Sequence, residues 1–385
     1  MEKTPAIPTQ KNIKQMHLKE IFLQVLGSGG ISRAQLRQSL GLSFPSVSAL
    51  VDELLSQGIL YEDGALAGSQ RGRPRTQLRV EPRAFVVPVA TLSAEGYRCV
   101  LFDCTGKPLS RAFLPLDNPQ GIEAFSAPLK KWLDDLAEYS RMKALVLTVP
   151  GNFHKNGSLS SPILGFATPE NFVPLLRARL EMDVVVFNNG DSHAYGELHC
   201  QSLPRDFIEV TVGRGVGAGI IRHGKLFSDS TIRAGELGHI SIDYRGRPCS
   251  CGNRGCLERY INTEVLTAEA EALLQHPAGS LTFEALCSLY RTGDPKVVSF
   301  IEEKAALLAV GISNMLAMQP VNHIVIGGKI TRLGDAFLDA LREAVQTTGL
   351  RKYMDRVTLS RSHNTTDPEA FGAFWNYLDH HMTLL

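Results

Sequence analysis

Near the N-terminus, apolar positions recur with helical spacing in three short segments between residues 14 and 60. The first segment repeats apolar residues from Leu18 to Leu26 at intervals of three and four, which predicts an amphipathic helix. The second opens at Ser32 with a capping box, and the third opens at Ser43 with a proline close behind. Short glycine-containing breaks separate the segments. This pattern predicts a helix-turn-helix.

The third predicted helix leaves small and polar residues outside its apolar stripe, which would let it enter a DNA major groove. Downstream, residues 71–75 read Arg-Gly-Arg-Pro-Arg before a strand-like stretch at 76–80. Such an extended basic segment is typical of a wing that places guanidinium groups in an A·T minor groove. The candidate DNA-contacting residues are Arg33, Ser43, Ser46, Ser48, Arg71, Arg73 and Arg75. A plain three-helix subdomain and a solvated basic linker are the alternatives.

From about Phe85 onward, the pattern changes to alternating strands and helices. Apolar runs predict strands at 85–92, 97–102, 144–149, 183–187, 207–212, 218–221 and 323–326. Helical spacing predicts helices at 122–139, 172–180, 263–274 and 304–318. This alternation indicates an α/β fold, which we expect to form two lobes with a cleft between them.

Composition and charge agree with two or three compact units in a chain of 385 residues. The apolar content of 44% and the charged content of 21% are typical of a soluble globular protein. No apolar run is long enough to span a membrane, and the polar N-terminus has no signal-peptide core, so we expect a cytoplasmic protein without a membrane partner. Residues 1–83 carry 11 Lys and Arg against 7 Asp and Glu, a weak indication of a nucleic-acid-binding domain.

The strongest chemical signal is a set of three cysteines and one histidine: His239, Cys249, Cys251 and Cys256. Three thiolates and one imidazole can complete a tetrahedral zinc site, and Gly252 and Gly255 allow the tight turn that this spacing needs. A site closed by four protein ligands has no open position, so we expect a structural zinc ion. The alternative is three buried free cysteines.

Next to this motif lie further candidate ligand-binding residues. A glycine-rich stretch, Gly213 to Gly219, follows a predicted strand and would let backbone amides approach a phosphate or a sugar. The carboxylates of Glu236 and Glu258 flank the zinc ligands and could accept hydrogen bonds from vicinal sugar hydroxyls. For each glutamate alone, a surface or ion-paired role is the alternative.

These motifs resemble the ROK family (repressors, open reading frames and kinases), and in particular its NagC/Mlc-like regulators. The matching stretches are Gly235-Glu-Leu-Gly-His239, the cysteine motif through Glu258, the glycine-rich stretch, and Ile324-Val-Ile-Gly-Gly328. The resemblance implies a two-lobed, ribonuclease-H-like (actin/hexokinase-like) body with sugar in the cleft, where His239 would contact both zinc and sugar. It implies sugar contacts from Asn171, Asn188 and Asn189 as well. We expect a winged helix-turn-helix at 1–83, a first lobe at 84–194 and a second lobe at 195–385, with the C-terminal helix free to pack back on the first lobe.

The departures from the kinases of this family are informative. Those kinases begin the body with Asp-x-Gly-Gly-Thr, whereas residues 91–95 here read Thr-Leu-Ser-Ala-Glu. Their general base is the Asp of an Asn-Asp pair, and the matching position here is Asn189, whose amide cannot take a proton. Asp191 could replace it only if the loop shifted. We therefore expect no enzyme activity.

Taken together, the sequence predicts a sugar-responsive DNA-binding transcription regulator, by resemblance a repressor of carbohydrate uptake or catabolism genes. Expected partners are a palindromic DNA operator, a sugar or sugar-phosphate effector, and further copies of the chain in a dimer or tetramer. An ATP-dependent sugar kinase with an added DNA-binding domain, and a regulator controlled by a sugar-transport protein, are the alternatives.

Overall fold

Three helices and a two-stranded hairpin form the N-terminal unit of the protein. The computed structural model describes residues 9–64, 76–137, 141–151, 153–161, 163–200, 203–227, 234–349, 355–363 and 366–384. The helices are α1 (Gln10–Ser28), α2 (Arg33–Leu40) and α3 (Phe44–Ser56). Ser32 caps α2 in a complete capping box with Gln35, and Ser43 caps α3, as the sequence predicts. Strand β1 (Leu60–Asp63) pairs antiparallel with β2 (Gln77–Val80).

The first lobe is built on a five-stranded mixed sheet with the strand order β5-β4-β3-β6-β7. Its strands are β3 (Val86–Leu92), β4 (Gly96–Asp103), β5 (Pro108–Pro115), β6 (Leu145–Val149) and β7 (Val184–Asn188). The first three are antiparallel neighbours, whereas β6 and β7 run parallel to β3. Helices α4 (Gly121–Asp134) and α5 (Phe172–Leu180) share a buried core with this sheet, and α6 (Asn189–Leu198) follows β7 directly.

The second lobe repeats this topology with the strand order β10-β9-β8-β11-β12. Its strands are β8 (Phe207–Val212), β9 (Val216–Arg222), β10 (Lys225–Leu226), β11 (His323–Gly327) and β12 (Thr358–Arg361). Again three antiparallel strands are followed by two parallel ones. Two sheets of the same order form the mixed α/β, kinase-like body that the family resemblance implies.

Helices cover the second lobe and connect it back to the first. They are α7 (Glu258–Ile261), α8 (Thr263–Leu274), α9 (Phe283–Thr292), α10 (Pro295–Met318), α11 (Asp335–Thr347) and α12 (Pro368–Asn376), which a π-helical turn at Tyr377–His381 extends. Helix α12 packs on the sheet of the first lobe, where the rings of Phe374 and Phe102 lie 5.1 Å apart. The C-terminal part of the chain therefore belongs to the core of the first lobe.

One continuous apolar cluster joins the N-terminal unit to the first lobe. It includes Leu18 and Phe22 of α1, Phe85 and Val87 near β3, and Phe374 of α12, all with almost no exposed surface. Burial of this many apolar side chains is the main stabilising contribution to such a contact. The N-terminal unit is therefore packed on the body and not merely tethered to it.

Several elements differ from the sequence-based prediction. Strands β10 and β12 and helices α6, α9 and α11 were not predicted. Strand β5 was not predicted, because its alternate residues face solvent at the edge of the sheet and the segment has no continuous apolar run. Helix α10 begins at Pro295, nine residues before the predicted start at Lys304. Asp294 caps it with its side chain, and Val297 and Ile301 in its first two turns are already buried in the core. In the described part of the chain, no helix is both long and apolar enough to cross a membrane.

Candidate metal centre and interlobe cleft

The side chains of His239, Cys249, Cys251 and Cys256 converge on one point of the second lobe. Their ligand atoms all lie within 4.8 Å of one another, which is close enough for one metal ion. Nδ1 of His239 lies 3.7 Å from Sγ of Cys249, and the Sγ atoms of Cys251 and Cys256 lie 3.6 Å apart. The structure thus brings together the four residues that the sequence predicts as metal ligands.

Tight turns with glycine hold this loop. Gly255 has a φ of +66°, and a Cβ atom at this position would lie only 1.7 Å from the carbonyl oxygen of Asp243. No side chain larger than hydrogen fits there. The backbone amide of Cys249 donates to the carbonyl of Asn253 at 2.9 Å, which closes the turn between the ligands. The local backbone therefore presents the three thiols without the help of a distant element.

Glu258 lies directly behind the metal loop, at the start of α7. Its Oε2 atom accepts a hydrogen bond of 2.9 Å from the backbone amide of Val216, so the carboxylate orients the β8–β9 turn. A Cβ atom on Gly215 would lie 2.6 Å from Cδ1 of Ile163, a residue of the first lobe. The glycine-rich turn of the second lobe and the Ile163 loop of the first lobe therefore meet at the cleft.

One glycine of the stretch from Gly213 to Gly219 is explained by packing instead of ligand binding. A Cβ atom on Gly219 would lie 2.4 Å from Cβ of Ala194 and 2.7 Å from the carbonyl oxygen of Gly190. Strand β9 can therefore approach α6 only with glycine at this position.

The two predicted sugar-binding asparagines at the junction of β7 and α6 differ in their surroundings. Asn188 donates from Nδ2 to the carbonyl oxygen of Gly151 at 2.9 Å, and its Oδ1 accepts from the amide of Gly190 at 2.7 Å. This side chain thus fixes the loop. Oδ1 of Asn189 is buried and has no hydrogen-bond partner among the described residues. A buried acceptor without a partner is costly, so Asn189 is the better candidate to bind a sugar hydroxyl.

The other predicted sugar-binding residues include Asn171, Glu236 and His239. Asn171 is exposed at the start of α5, with a φ of +51° and no side-chain bond to that helix. Glu236 is exposed one residue before the turn that carries His239. Since Nδ1 of His239 faces Cys249, the opposite ring nitrogen, Nε2, is the atom left for a second ligand.

An ion-pair bridge spans the two lobes at the glycine-rich turn. Arg214, in the glycine-rich turn of the second lobe, contacts Glu95 of the first lobe at 3.0 Å and Glu264 of α8 at 2.9 Å. In the sequence, Glu95 stands out only as a departure from the kinase motif, without an evident partner. The structure shows that its charge is matched within the chain.

A buried cluster of charged residues lies beneath α6 and was missed by the sequence analysis. Nε2 of His193 lies 3.4 Å from Glu369 of α12, and its Nδ1 lies 3.7 Å from Glu209 of β8. Burial alone would lower the pKa of His193, but Glu369 and then Glu209 raise it to about 9. Burial raises the pKa of Glu209 to about 8. In the sequence, the signal for this cluster was Glu209, a glutamate inside the apolar run Phe-Ile-Glu-Val-Thr-Val.

The candidate DNA-contacting residues of the N-terminal unit differ in their exposure and in their contacts within the chain. Arg33 forms ion pairs with Asp52 at 2.7 Å and Glu62 at 3.1 Å. Ser43 caps α3 and its hydroxyl lies 2.7 Å from that of Ser46. Ser48 is half-buried. Arg71, Arg73 and Arg75 lie outside the described residues, and all seven contacts stay predictions.

The sequence model of the ROK family matches residues 94–379. This chain belongs to the ROK family. The family resemblance noted from the motifs is thereby confirmed. The match starts after strand β3 and covers the rest of both lobes, so the N-terminal unit lies outside it.

Two characterised relatives extend over most of the chain. The xylose repressor of Caldicellulosiruptor bescii is 26% identical over 359 residues, which cover 86% of this chain and 88% of that protein. The DNA-binding transcriptional dual regulator NagC of Escherichia coli is also 26% identical, over 376 residues, which cover 94% of this chain and 92% of NagC.

Two solved structures show the fold. A ROK family transcriptional regulator, a homologue of the Escherichia coli MLC protein, superposes with a TM-score of 0.81 at 22% identity and covers 95% of this chain and 96% of its own. The ROK hexokinase of Thermus thermophilus superposes with a TM-score of 0.63 at 23% identity and covers 77% of this chain but 99% of its own. The chain thus has the kinase-like body and, in addition, a part that the hexokinase lacks.

Proposed function

We propose that this protein is a sugar-responsive DNA-binding transcription regulator, and that it represses genes of carbohydrate uptake or catabolism. In this proposal the N-terminal unit is a winged helix-turn-helix, the interlobe cleft binds the sugar, and the metal loop holds a structural zinc ion. The relatives that cover most of this chain are named repressors or DNA-binding regulators, which supports the reading.

One observation carries the proposal. The regulator structure covers 95% of this chain and the hexokinase 77%, so the share that only the regulator covers is about the length of the N-terminal unit, whose core is continuous with that of the first lobe. A unit packed in this way moves with the first lobe. A change in lobe arrangement on sugar binding would therefore change the position of α3, provided that the sugar has different affinities for the two arrangements.

A route from the cleft to α1 supports this coupling. Helix α6 begins at Asn189, next to the cleft, and its Tyr195 hydroxyl donates to Oδ2 of Asp379 at 2.6 Å. Asp379 and Lys19 of α1 line one shallow cavity between the C-terminal turn and the N-terminal unit, and their charges attract.

The charge of α3 can be changed to test DNA binding without loss of the helix. Ser46 is exposed at the third position of α3, where an acidic residue stabilises a helix. We expect Ser46→Glu to fold normally and to lose the fragments that the wild-type protein enriches from genomic DNA, because the new carboxylate repels phosphates. Ser280→Glu, at an exposed position in the second lobe, is the matched control and should retain them. No enrichment by the wild-type protein would contradict the proposal.

Zinc suits the metal loop by its donor set and by its distances. A tetrahedral zinc ion with Zn–S bonds of about 2.3 Å and Zn–N bonds of about 2.0–2.1 Å places its ligand atoms about 3.5–3.8 Å apart. The distances of 3.6 and 3.7 Å between two of the ligand pairs agree with this value, and all ligand atoms lie within 4.8 Å of one another. When bound, the ion would stabilise the turn that holds Glu258 and would leave Nε2 of His239 for the sugar.

A sugar kinase is the second candidate, because the body superposes on a hexokinase. Against it, the family resemblance aligns the amide of Asn189 with the kinase general base, and it aligns residues 91–95, whose Glu95 pairs with Arg214, with the phosphate-binding motif. We expect the zinc-loaded protein to phosphorylate no hexose or amino sugar with ATP above a blank without protein. Phosphorylation by the wild-type protein that is lost in Asn189→Ala would support the kinase function instead.

The remaining expectations concern partners. A symmetric dimer or tetramer on a palindromic operator, and a sugar-transport protein as a second regulator, stay predictions. Light scattering of the purified protein with and without DNA tests the first of them.

A further inference from the structure

Helix α3 has an unusual set of side chains for reading DNA. Between Phe44 and Ser56 it contains no Lys, Arg, Asn or Gln. The common hydrogen-bonded readers of the major groove are Arg or Lys on guanine and Asn or Gln on adenine. From this helix, base recognition is therefore limited to serine hydroxyls and apolar contacts.

The acidic side chains of α3 are also matched within the chain. Asp52 pairs with Arg33 at 2.7 Å, and Glu53 pairs with Lys14 at 2.7 Å. Acidic groups could otherwise accept from the amino group of cytosine, but here each is opposed by a cation. The charges on the outer surface of the helix are therefore balanced, which leaves serine hydroxyls and apolar contact as its means of discrimination.

Phe44 is the one large apolar side chain that α3 leaves in solvent. It is the first residue of the helix, between the cap Ser43 and Pro45, and it is 50% exposed. The apolar residues that hold the helix in its core, such as Val47 and Val51, have no exposed surface. Burial within the chain therefore does not explain a phenylalanine at position 44.

The N-terminal residues of a recognition helix are those that reach base edges in the major groove. The apolar feature there is the 5-methyl group of thymine, which phenylalanine contacts in known complexes. We propose that Phe44 is a specificity-determining residue that reads a thymine methyl group in each half-site of the operator. This inference rests on the proposed DNA-binding function.

Replacement of thymine by deoxyuridine tests the contact, since it removes only the methyl group. The duplex would come from in vitro selection of a random-sequence pool by the full-length protein, and each thymine would then be exchanged in turn. Burial of one methyl group is worth about a factor of four in affinity. At one thymine position, we expect exchange in one half-site to weaken binding about fourfold. Exchange in both half-sites of a symmetric duplex should weaken it about fifteenfold.

Two protein variants test whether the contact with the methyl group comes from Phe44. Phe44→Ala should bind thymine and deoxyuridine duplexes equally, whereas Phe113→Ala should keep the wild-type ratio, since Phe113 is similarly exposed (53%) but lies on β5 of the first lobe. Equal binding of both duplexes by the wild-type protein at every position, or an unchanged ratio in Phe44→Ala, would overturn the inference.

Two other outcomes separate this inference from the proposed function. If the wild-type protein selects no duplex at all, the DNA-binding function itself fails. If Phe44→Ala changes the oligomeric state in light scattering but not the thymine ratio, Phe44 contacts a second copy of the chain and the inference is wrong.

Discussion

The ring of Phe22 in α1 lies 5.7 Å from the ring of Phe85, which directly precedes strand β3 of the first lobe. Both side chains are fully buried, and they belong to the cluster that α12 completes from the other end of the chain. The contact crosses the boundary that the sequence analysis places between residues 83 and 84. The N-terminal unit and the first lobe therefore share one core although their sequence signatures are distinct.

Truncation of this contact should destabilise both parts together. Phe22→Ala removes a large side chain from a packed core, and we expect a loss of about 3–5 kcal/mol in the free energy of unfolding. Urea unfolding followed by separate probes in the N-terminal unit and the first lobe measures it. Phe113→Ala, at an exposed site, should change stability by less than about 0.5 kcal/mol. Loss of the N-terminal transition alone would contradict the shared core.

The two asparagines between β7 and α6 should separate into a structural and a ligand-binding residue. Asn188→Ala leaves the carbonyl oxygen of Gly151 and the amide of Gly190 without their partner, and we expect a loss of about 1–3 kcal/mol in stability. Asn189→Ala removes an acceptor that has no partner among the described residues, so stability should change little while sugar affinity falls. Calorimetric titration with a sugar panel, together with thermal melts, distinguishes them. Equal effects of both variants on both quantities would show that this assignment is wrong.

Removal of the metal should unfold the turn that carries the cysteines. We expect about one zinc ion per chain by elemental analysis, and loss of that ion with a lowered Tm in Cys249→Ser, because a missing ligand opens the tetrahedral site. Cys200→Ser is the matched control, since Cys200 is a half-buried free cysteine outside the site. Full zinc content in Cys249→Ser would exclude this residue as a ligand.

The buried cluster of His193, Glu209 and Glu369 should make stability depend on pH. The pKa of His193 is raised to about 9, so its contribution is complete below about 6.5 and disappears as the pH rises through about 9. The pKa of Glu209 is raised to about 8, so the folded protein also holds this proton between about 4.5 and 8. Because of both groups, the free energy of unfolding should decrease as the pH rises from about 5 to 9.

The third member of the cluster acts at low pH. Burial would raise the pKa of Glu369, but His193 lowers it to about 2, so its contribution is present above about 4.5 and is lost as the pH falls towards 2. Urea unfolding of Glu209→Gln between pH 5 and 9 tests the cluster. We expect a flatter decline than in the wild-type protein, because the amide does not titrate. An unchanged slope would mean that Glu209 is not the group that binds the proton.

The parts of the fold that sequence predicts best are those with local signals. The capping box at Ser32 and the cap at Ser43 depend on residues three positions apart, and both are present in the structure. The metal loop depends on a short segment whose glycines force the turn. Edge strand β5 lacked such a signal, because none of its side chains is fully buried and its apolar residues form no continuous run.

The contacts that sequence could not reveal join distant segments. His193, Glu209 and Glu369 meet only because α6, β8 and α12 pack together, and the periodicity of each element says nothing about its neighbours. The Arg214–Glu95 bridge likewise depends on how the lobes close. For Asn188, residue type indicated a hydrogen-bonding role, but only the loop geometry shows that its partners lie within the chain.

The measurement that tests the central claim most directly is the affinity of the full-length protein for its selected duplex, titrated with a panel of sugars and sugar phosphates. The account predicts that one of them changes the DNA affinity by about 5- to 150-fold, the usual range of coupling between two sites, and that Asn189→Ala requires a higher concentration of it. If a sugar binds in the cleft while the affinity for DNA stays the same, the protein is not a sugar-responsive regulator.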